Sequence, residues 1–363
     1  MRESFVRVTC LVKRYDHHTA SGGYDRLAGA VGAQVIMRKQ IPGLFGKAAN
    51  GIWRQLTPNK GYAPVYDVGD WLTELQALTT GFFWPPDVLH VLYDSQLYLL
   101  AKRRKLLRCP LIVTVHGAFA DPSYTRPLDA FPKGLGIDVA VVVATSQIAP
   151  LQRLIGPRKI VYIPHGIDTD RFRPKDYTLS PGKLRVLIVG HNMRDWFVIH
   201  RTIDEINRQG LDVEFHVVTA EHLFPFLTGC DNLVLHSQIS EAELVDLYCS
   251  ADVLFLPVFN ATANNSVLEA LACGTPVIST LVGGIPDYVN EASGWLLPLG
   301  DVHAHVNLIA SLASNRELAR NRRKAARTQA LKFDWRCVAE QMIALYTATK
   351  SRASAQMPIA TPP

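Results

Sequence analysis

No run of this sequence approaches the roughly 20 apolar residues that a membrane-spanning helix requires. The opening MRESFVRVTCLV holds a short apolar stretch without a small-residue cleavage site, which argues against a secretion signal and for a first buried strand. Cysteine is sparse and scattered. Cys10, Cys109, Cys230, Cys249, Cys273 and Cys337 include no CxxC pair and no His at zinc-finger spacing, so the expectation is buried free thiols in a reducing cytoplasm, not a disulfide framework or structural zinc. No repeat of about 20–50 residues is present, which excludes a solenoid or propeller. No GxGxxG follows a predicted strand, which disfavours an oxidoreductase using a dinucleotide. No DxD-type motif stands at a strand end, and no pair of carboxylates stands out for acid–base work.

What the chain does have is length and alternation. Its 363 residues suit two cores better than one. Short β-branched runs alternate with helix-like stretches, the mark of parallel α/β sheets. Strands are predicted at 6–12, 33–37, 88–93, 111–116, 139–145 and 159–165, then at 184–190, 213–218, 232–237, 253–257 and 276–280. Between the two sets, DTDRFRPKDYTLSPGK is rich in Pro, Asp and charge, and is expected to be a linker over 168–183. The final SRASAQMPIATPP is small, polar and Pro-rich, so 351–363 are expected to be disordered. The net charge of +6 is uneven: residues 1–175 carry 23 Lys and Arg against 13 Asp and Glu, residues 176–363 carry 15 against 19. A basic front half suggests an anionic counterpart, whether membrane surface, phosphorylated lipid or nucleic acid, although a solvated basic half-chain accounts for the numbers equally well.

Two helix starts can be argued closely. Ser240-Glu241-Ala242-Glu243 forms a capping box that opens EAELVDLYCSA. Asn264-Asn265-Ser266 opens VLEALAC, which Gly274 ends and Pro276 prevents from continuing. The second helix follows strand VLFLP at the carboxyl edge of a parallel sheet, where open α/β sheets bind ligands. A helix start there aims backbone N–H groups outward and suits a diphosphate. Glu269, one turn inside, can accept two ribose hydroxyls, and Gly283-Gly284 permits a tight loop over a ligand. An ordinary βαβ unit with Glu269 facing water would show the same spacing.

These residues carry a resemblance. Asn265-Ser266-Val267-Leu268-Glu269-Ala270-Leu271-Ala272-Cys273-Gly274-Thr275-Pro276-Val277, followed by Val282-Gly283-Gly284-Ile285-Pro286, resembles the donor-site signature of the retaining family 4 glycosyltransferases. Ile163-Pro164-His165-Gly166-Ile167-Asp168-Thr169-Asp170-Arg171-Phe172 resembles that family's interdomain passage, usually IPNGVDTDRF. Val113-Thr114-Val115-His116-Gly117 resembles its N-domain strand ending in His-Gly, and Phe333-Asp334-Trp335 the start of its C-terminal helix. The resemblance covers nearly the whole chain in order. It implies the GT-B fold, two Rossmann-like α/β domains whose parallel sheets face across a cleft. The implied boundaries are an acceptor-binding domain at 1–167, the linker at 168–183, a nucleotide-sugar domain at 184–334 and a returning helix at 335–350.

Carried over residue by residue, the resemblance implies that Glu269 binds the donor ribose and that Asn265, Ser266 and Val267 lie over the donor phosphates and sugar. His116 would contact the transferred sugar, or else only cap neighbouring carbonyls at a strand end. Gly22 and Gly23 match the glycine-rich loop after the first strand, where backbone approaches phosphate or acceptor, and are implied to bind the donor; an ordinary βα turn would also explain them. His17 and His18 beside them are either acceptor-side groups or a polar loop.

Two departures stand out. The first Glu of the family's E-x₇-E pair falls on Ala261, so either Asn260 or Thr262 substitutes or the donor sugar is held differently. The phosphate-binding Arg expected just after Gly190 is replaced by His191, leaving Arg194 as the nearest cation for a departing diphosphate, with Arg201 further on.

The expected reaction is metal-independent transfer of a sugar, with retention, from a UDP- or GDP-sugar co-substrate to a lipid-linked or saccharide acceptor, with no cofactor and no nucleic-acid partner. A catalytically silent nucleotide-sugar-binding protein and a nucleotide-sugar epimerase are the alternatives. The cluster Lys102-Arg103-Arg104-Lys105 with Arg108 either faces anionic lipid or is a solvated helix face, which would make the protein cytoplasmic or peripheral at the inner membrane face. Trp71, Phe82, Phe83 and Trp84 are candidates for an acceptor or membrane-facing groove, or for core.

Overall fold

The computed structural model describes residues 6–14, 23–41, 47, 50, 66–117, 136–156, 160–175, 182–227 and 232–356. Gly22, His17, His18 and Cys230 lie outside the described residues. The described chain divides into two compact units: one runs to His165 and resumes at Trp335, the other is Gly166–Asp334.

The first unit holds a parallel sheet of β1 (Val8–Val12), β2 (Gln34–Met37), β3 (Val88–Val91), β4 (Leu111–Val115), β5 (Val139–Val142) and β6 (Ile160–Tyr162), in the order β2-β1-β3-β4-β5-β6. Every residue of β1, β3, β4 and β5 is buried. That explains why these strands read as unbroken apolar runs instead of alternating ones. The helix Trp335–Gln356 belongs to this unit, burying Val338, Met342 and Tyr346. Inside the core, His90 is neutral because burial drops its imidazolium to about 3. Its two ring nitrogens sit 2.7 Å from Tyr346 Oη and 2.8 Å from Thr114 Oγ1, so the returning helix is tied to β3 and β4 by a fully partnered polar contact.

The second unit holds β7 (Leu184–Val189), β8 (Val213–Val218), β9 (Leu233–His236), β10 (Val253–Leu256), β11 (Val277–Thr280) and β12 (Gly294–Leu297), ordered β12-β11-β10-β7-β8-β9 and all parallel. This is the Rossmann order, with the reversal between β7 and β10. Strand β12 carries no expectation from sequence. GWLL is a short edge strand whose last three residues are only half-buried, and its Gly and flanking Pro mask the apolar signal.

Two stretches differ from expectation. Asp168–Lys175 is part of the second unit instead of a free connector: Phe172 is fully buried, Asp168 Oδ1 accepts from the Asp170 and Arg171 N–H groups, and Arg327 donates to the Thr169 and Phe172 carbonyls. Asp168 folds back on the following backbone, while Thr169, Arg171 and Lys175 pair with Asp334, Glu241 and Asp246, which composition cannot distinguish from solvation. The C-terminal helix also continues through Gln356, so residues 351–356 are helical and not tail.

Candidate functional site

The loops leaving β7 and β10, at the point where the second sheet reverses, are joined to each other. Arg194 and Val258 form an antiparallel bridge, the Asp195 N–H donates to the Pro257 carbonyl at 2.9 Å, and the Phe259 N–H to the Met193 carbonyl at 3.0 Å. Asp195 accepts from the Val198 N–H and so caps the helix Trp196–Arg208. Its neighbour Arg194 is thereby held at the switch point, where open α/β sheets bind ligands.

The Arg194 side chain folds inward. It is buried, with Nε and Nη2 donating to the Val189 carbonyl at 2.9 and 2.7 Å and Nη1 to the Asn192 carbonyl at 2.7 Å. Nη2 also lies 3.3 Å from Ser266 Oγ, at the start of the donor-motif helix. Gly190 makes room for this: its φ is +80°, and a Cβ there would stand 2.8 Å from Nη2. Burial lowers the guanidinium to about 10, against the opposing pull of Tyr248 and Glu269, so it stays charged at neutral pH. Arg201, the other cation considered, lies on the surface and pairs with Asp204 at 3.7 Å, one helical turn on.

The helix Asn265–Ala272 begins as its sequence suggests, with Asn264 as N-cap. Asn264 Oδ1 takes the Val267 N–H at 3.3 Å, so one donor expected to face a phosphate is already engaged. The helix Glu241–Ser250 likewise starts in the Ser240–Glu243 capping box. It brings Tyr248 under the donor-motif helix, where Tyr248 Oη donates to Glu269 Oε2 at 2.9 Å. Glu269 does not face water; it is 4% exposed, and burial raises its carboxyl to about 7. Burial also pushes the Tyr248 hydroxyl well up, which keeps it a donor.

The glycine loop after β11 closes on the segment that contains the missing Glu. The Gly284 N–H donates to the Ala261 carbonyl at 2.8 Å. Gly283 has φ +54°, and a Cβ there would overlap both the Ala261 carbonyl oxygen and the Asn260 side-chain oxygen. Asn260 and Thr262 are buried on either side. Glu269, Ser266, Arg194, Asn260 and the Gly283–Gly284 loop therefore belong to one carboxyl-edge cluster in the second unit.

The first unit gathers a second cluster at the carboxyl edge of its sheet. His116 follows β4; its Nε2 lies 3.0 Å from the Leu92 carbonyl, which can only accept, so Nε2 carries the proton. The His116 N–H donates to Asp94 Oδ1 at 3.2 Å. The next turn is clamped by Gln147, whose Nε2 donates to the Val115 and Gly117 carbonyls at 2.8 and 2.9 Å while Oε1 accepts from the Val143 and Ala144 N–H groups. Gly23 has φ +101°, a conformation that favours glycine, and leads into Tyr24, whose ring lies 4.8 Å from His116 and 5.2 Å from His165. Tyr93 meets His116 at 4.7 Å, and Trp335 meets His165 at 5.4 Å. Sequence reasoning missed Tyr24, Tyr93, Gln147, Tyr248 and His165. A signal existed for the last alone, since His165 stands where the family passage has Asn.

The remaining aromatic candidates separate. Trp71 is half-buried in the first turn of the helix Val68–Phe83, whereas Phe83 and Trp84 are exposed at its far end, so they share no groove. Among the described residues, no helix is long and apolar enough to cross a membrane.

Comparison with known proteins agrees with this architecture. The model for Glycosyltransferase Family 4 matches residues 16–171, and that for Glycosyl transferases group 1 matches residues 183–315. A D-inositol 3-phosphate glycosyltransferase of Segniliparus rotundus is 27% identical over 305 residues, covering 73% of this chain and 67% of that protein. Two others of that name are matched over only 51% and 24% of their own length. Sucrose-phosphate synthase from Thermosynechococcus elongatus superposes with a TM-score of 0.75 at 18% identity, over 96% of this chain and all of that one. The Anabaena protein HepE, solved in complex with UDP-glucose, superposes with a TM-score of 0.70 at 15% identity, over 95% of this chain and all of that one. With two six-stranded parallel sheets of the GT-B type and family models matching both halves, the chain belongs to the family 4-type glycosyltransferases.

Proposed function

We propose that this protein transfers a sugar from a nucleotide-sugar, a UDP- or GDP-sugar, to a lipid-linked or saccharide acceptor, with retention of anomeric configuration and without a metal. The observation that carries the donor half is the buried carboxylate of Glu269, held by Tyr248 at the switch point beside Ser266 and Arg194. A buried acceptor group with capacity beyond its one hydroxyl donor suits the paired hydroxyls of a ribose. The diphosphate would lie along Asn265, Ser266 and Val267 at the start of their helix, with Arg194 supplying positive charge from below. Asn260 and Thr262 flank Ala261, and one of them would stand in for the absent carboxylate toward the sugar. HepE, of the same fold, has been solved with UDP-glucose, which favours a uridine nucleotide as the first to try.

His116, in the first unit, is assigned to the transferred sugar, and the Gly22-Gly23 pair to the donor. The acceptor oxygen attacks the anomeric carbon on the face that the diphosphate leaves. The new C–O bond forms as the sugar–phosphate bond breaks, and the departing phosphate oxygen takes the acceptor proton. Arg194 and the helix N–H groups stabilise the charge that develops on that phosphate. The acceptor domain is taken as the first unit, up to His165 with the helix from Trp335, and the donor domain as Gly166–Asp334, with the protein peripheral at the inner membrane face. The test begins with thermal stabilisation by UDP and GDP. Proton NMR of the product formed from the bound nucleotide's sugar then reads the anomeric configuration, and an inverted product would refute retention.

One observation favours a second reading, a nucleotide-sugar-binding protein without turnover: Ala261 offers a methyl where the family has a carboxylate, and its carbonyl is already occupied by Gly284. Binding of UDP-sugar with no release of free nucleotide in the presence of saccharide acceptors would select it.

A further inference from the structure

The helix Val68–Phe83 ends in three consecutive aromatic residues before Pro85 and Pro86 stop it. Phe83 is 62% exposed and Trp84 77%. Their rings adjoin, Phe82 to Phe83 at 4.9 Å and Phe83 to Trp84 at 5.6 Å, so the exposed surface is continuous. Large aromatic residues left in water in a contiguous group mark an interaction surface.

The surroundings of these rings are cationic. The Arg108 guanidinium lies 4.7 Å from the centre of the Phe82 ring. Arg7, largely exposed, donates to the Pro85 carbonyl at 3.3 Å. Arg103, Lys105 and Leu106 are exposed on the turn whose next residue, Leu107, packs so closely on Gly81 that a Cβ there would lie 2.6 Å from it. The acids nearby are engaged: Asp87 with Arg7 and Lys350, Asp138 with Arg104. All of this lies at one edge of the first sheet. Arg7 precedes β1, Trp84 precedes β3 and Arg108 precedes β4, while His116 follows β4 at the other edge.

We propose that Phe83 and Trp84, with Arg7, Arg103, Lys105 and Arg108 around them, form a docking surface for an anionic lipid bilayer. It rests on the peripheral reading above and gives it a specific surface. Aromatic rings of this kind settle at the headgroup level, and Lys and Arg beside them are drawn to anionic headgroups. A protein–protein interface tolerates Arg beside aromatic rings but is depleted of Lys, whereas Lys105 is exposed here alongside Arg103. Because the docking edge and the His116 edge are opposite ends of the same strands, a bilayer on the first leaves His116 on the water side, which suits the saccharide acceptor over the lipid-linked one.

The test is sedimentation of the full chain with vesicles of phosphatidylcholine alone or mixed with phosphatidylglycerol. Wild type is expected to pellet with the mixed vesicles only, and to be released at high salt. Phe83→Ser/Trp84→Ser and, separately, Arg103→Gln/Lys105→Gln should each lower the partition coefficient at least tenfold. These side chains are exposed, so the melting temperature should stay at the wild-type value. Equal recovery of wild type on both vesicles, recovery on neither, or wild-type binding by the Phe83→Ser/Trp84→Ser protein would overturn the proposal. Stabilisation by UDP or GDP, read on the same preparations, reports the donor site independently, so either claim can fail alone.

Discussion

The Tyr248 hydroxyl donates to Glu269 Oε2 at 2.9 Å, joining the helix Glu241–Ser250 to the helix Asn265–Ala272 beneath the carboxyl edge of the second sheet. Both groups are buried, so the bond fixes the carboxylate in place before any ligand arrives. Tyr248→Phe keeps the ring and removes that donor. It should cost about 1–2 kcal/mol of stability, since a buried acceptor loses a partner. Urea denaturation of the two proteins measures this, and unchanged stability would mean that the bond contributes nothing.

The pH dependence follows from Glu269. Burial raises its carboxyl from 4.5 to about 7, against Tyr248 and Arg194 and with help from Glu241. Between those values the folded protein keeps a proton that the unfolded chain releases, so this group lowers stability as pH rises from about 4.5 to about 7. Glu269→Gln should remove that decline and be relatively more stable than wild type above pH 7. Nucleotide binding should run the opposite way in wild type, strengthening through the same window as the carboxylate forms, and should rise less steeply in Glu269→Gln, where only the nucleotide's own terminal phosphate titrates. Calorimetric melting and nucleotide titrations at pH 5, 6, 7 and 8 check both slopes.

Arg194 serves the fold as well as the charge. Arg194→Ala would leave the Val189 and Asn192 carbonyls without their donors, costing on the order of 3 kcal/mol, and would lower turnover by about 100-fold or more. Arg194→Lys keeps the charge but cannot reproduce the fork across two carbonyls, so it should recover only part of each. Nucleotide-release kinetics beside melting curves separate the two effects. A destabilised Arg194→Ala protein that turned over normally would make the residue purely structural.

Gly283→Ala is expected to be worse than its size suggests. The backbone is left-handed there, and the added methyl would overlap the Ala261 carbonyl and Asn260, neither of which can swing away cheaply. A loss of about 2–3 kcal/mol is expected, with weakened nucleotide binding as the loop shifts. A melting temperature within a degree of wild type would contradict the packing described.

The sequence was most informative where the chemistry is local. The Ser240–Glu243 capping box, the Asn264 N-cap and eleven of the twelve strands could be read from residue order alone, because each depends on neighbours a few positions away. Strand β12 escaped because an edge strand is half-buried and shows a diluted apolar run. Arg194 could be picked out by charge and position. That its guanidinium turns inward to the Val189 carbonyl depends on the left-handed Gly190 and on the bridge to Val258. Tyr248, Tyr24, Tyr93 and Gln147 were invisible for another reason. Each acts on a residue 21 to 92 positions away, brought near only by sheet order.

The most direct test of the central claim is an isothermal titration of wild type and Glu269→Ala with UDP and with GDP, on protein shown by melting to be folded. Losing charge-assisted hydrogen bonds worth roughly 1.5–3 kcal/mol should weaken binding of the preferred nucleotide about 10- to 100-fold. Binding of equal strength in both proteins would show that Glu269 does not hold the ribose, and the assignment of the donor site to this cluster would be wrong.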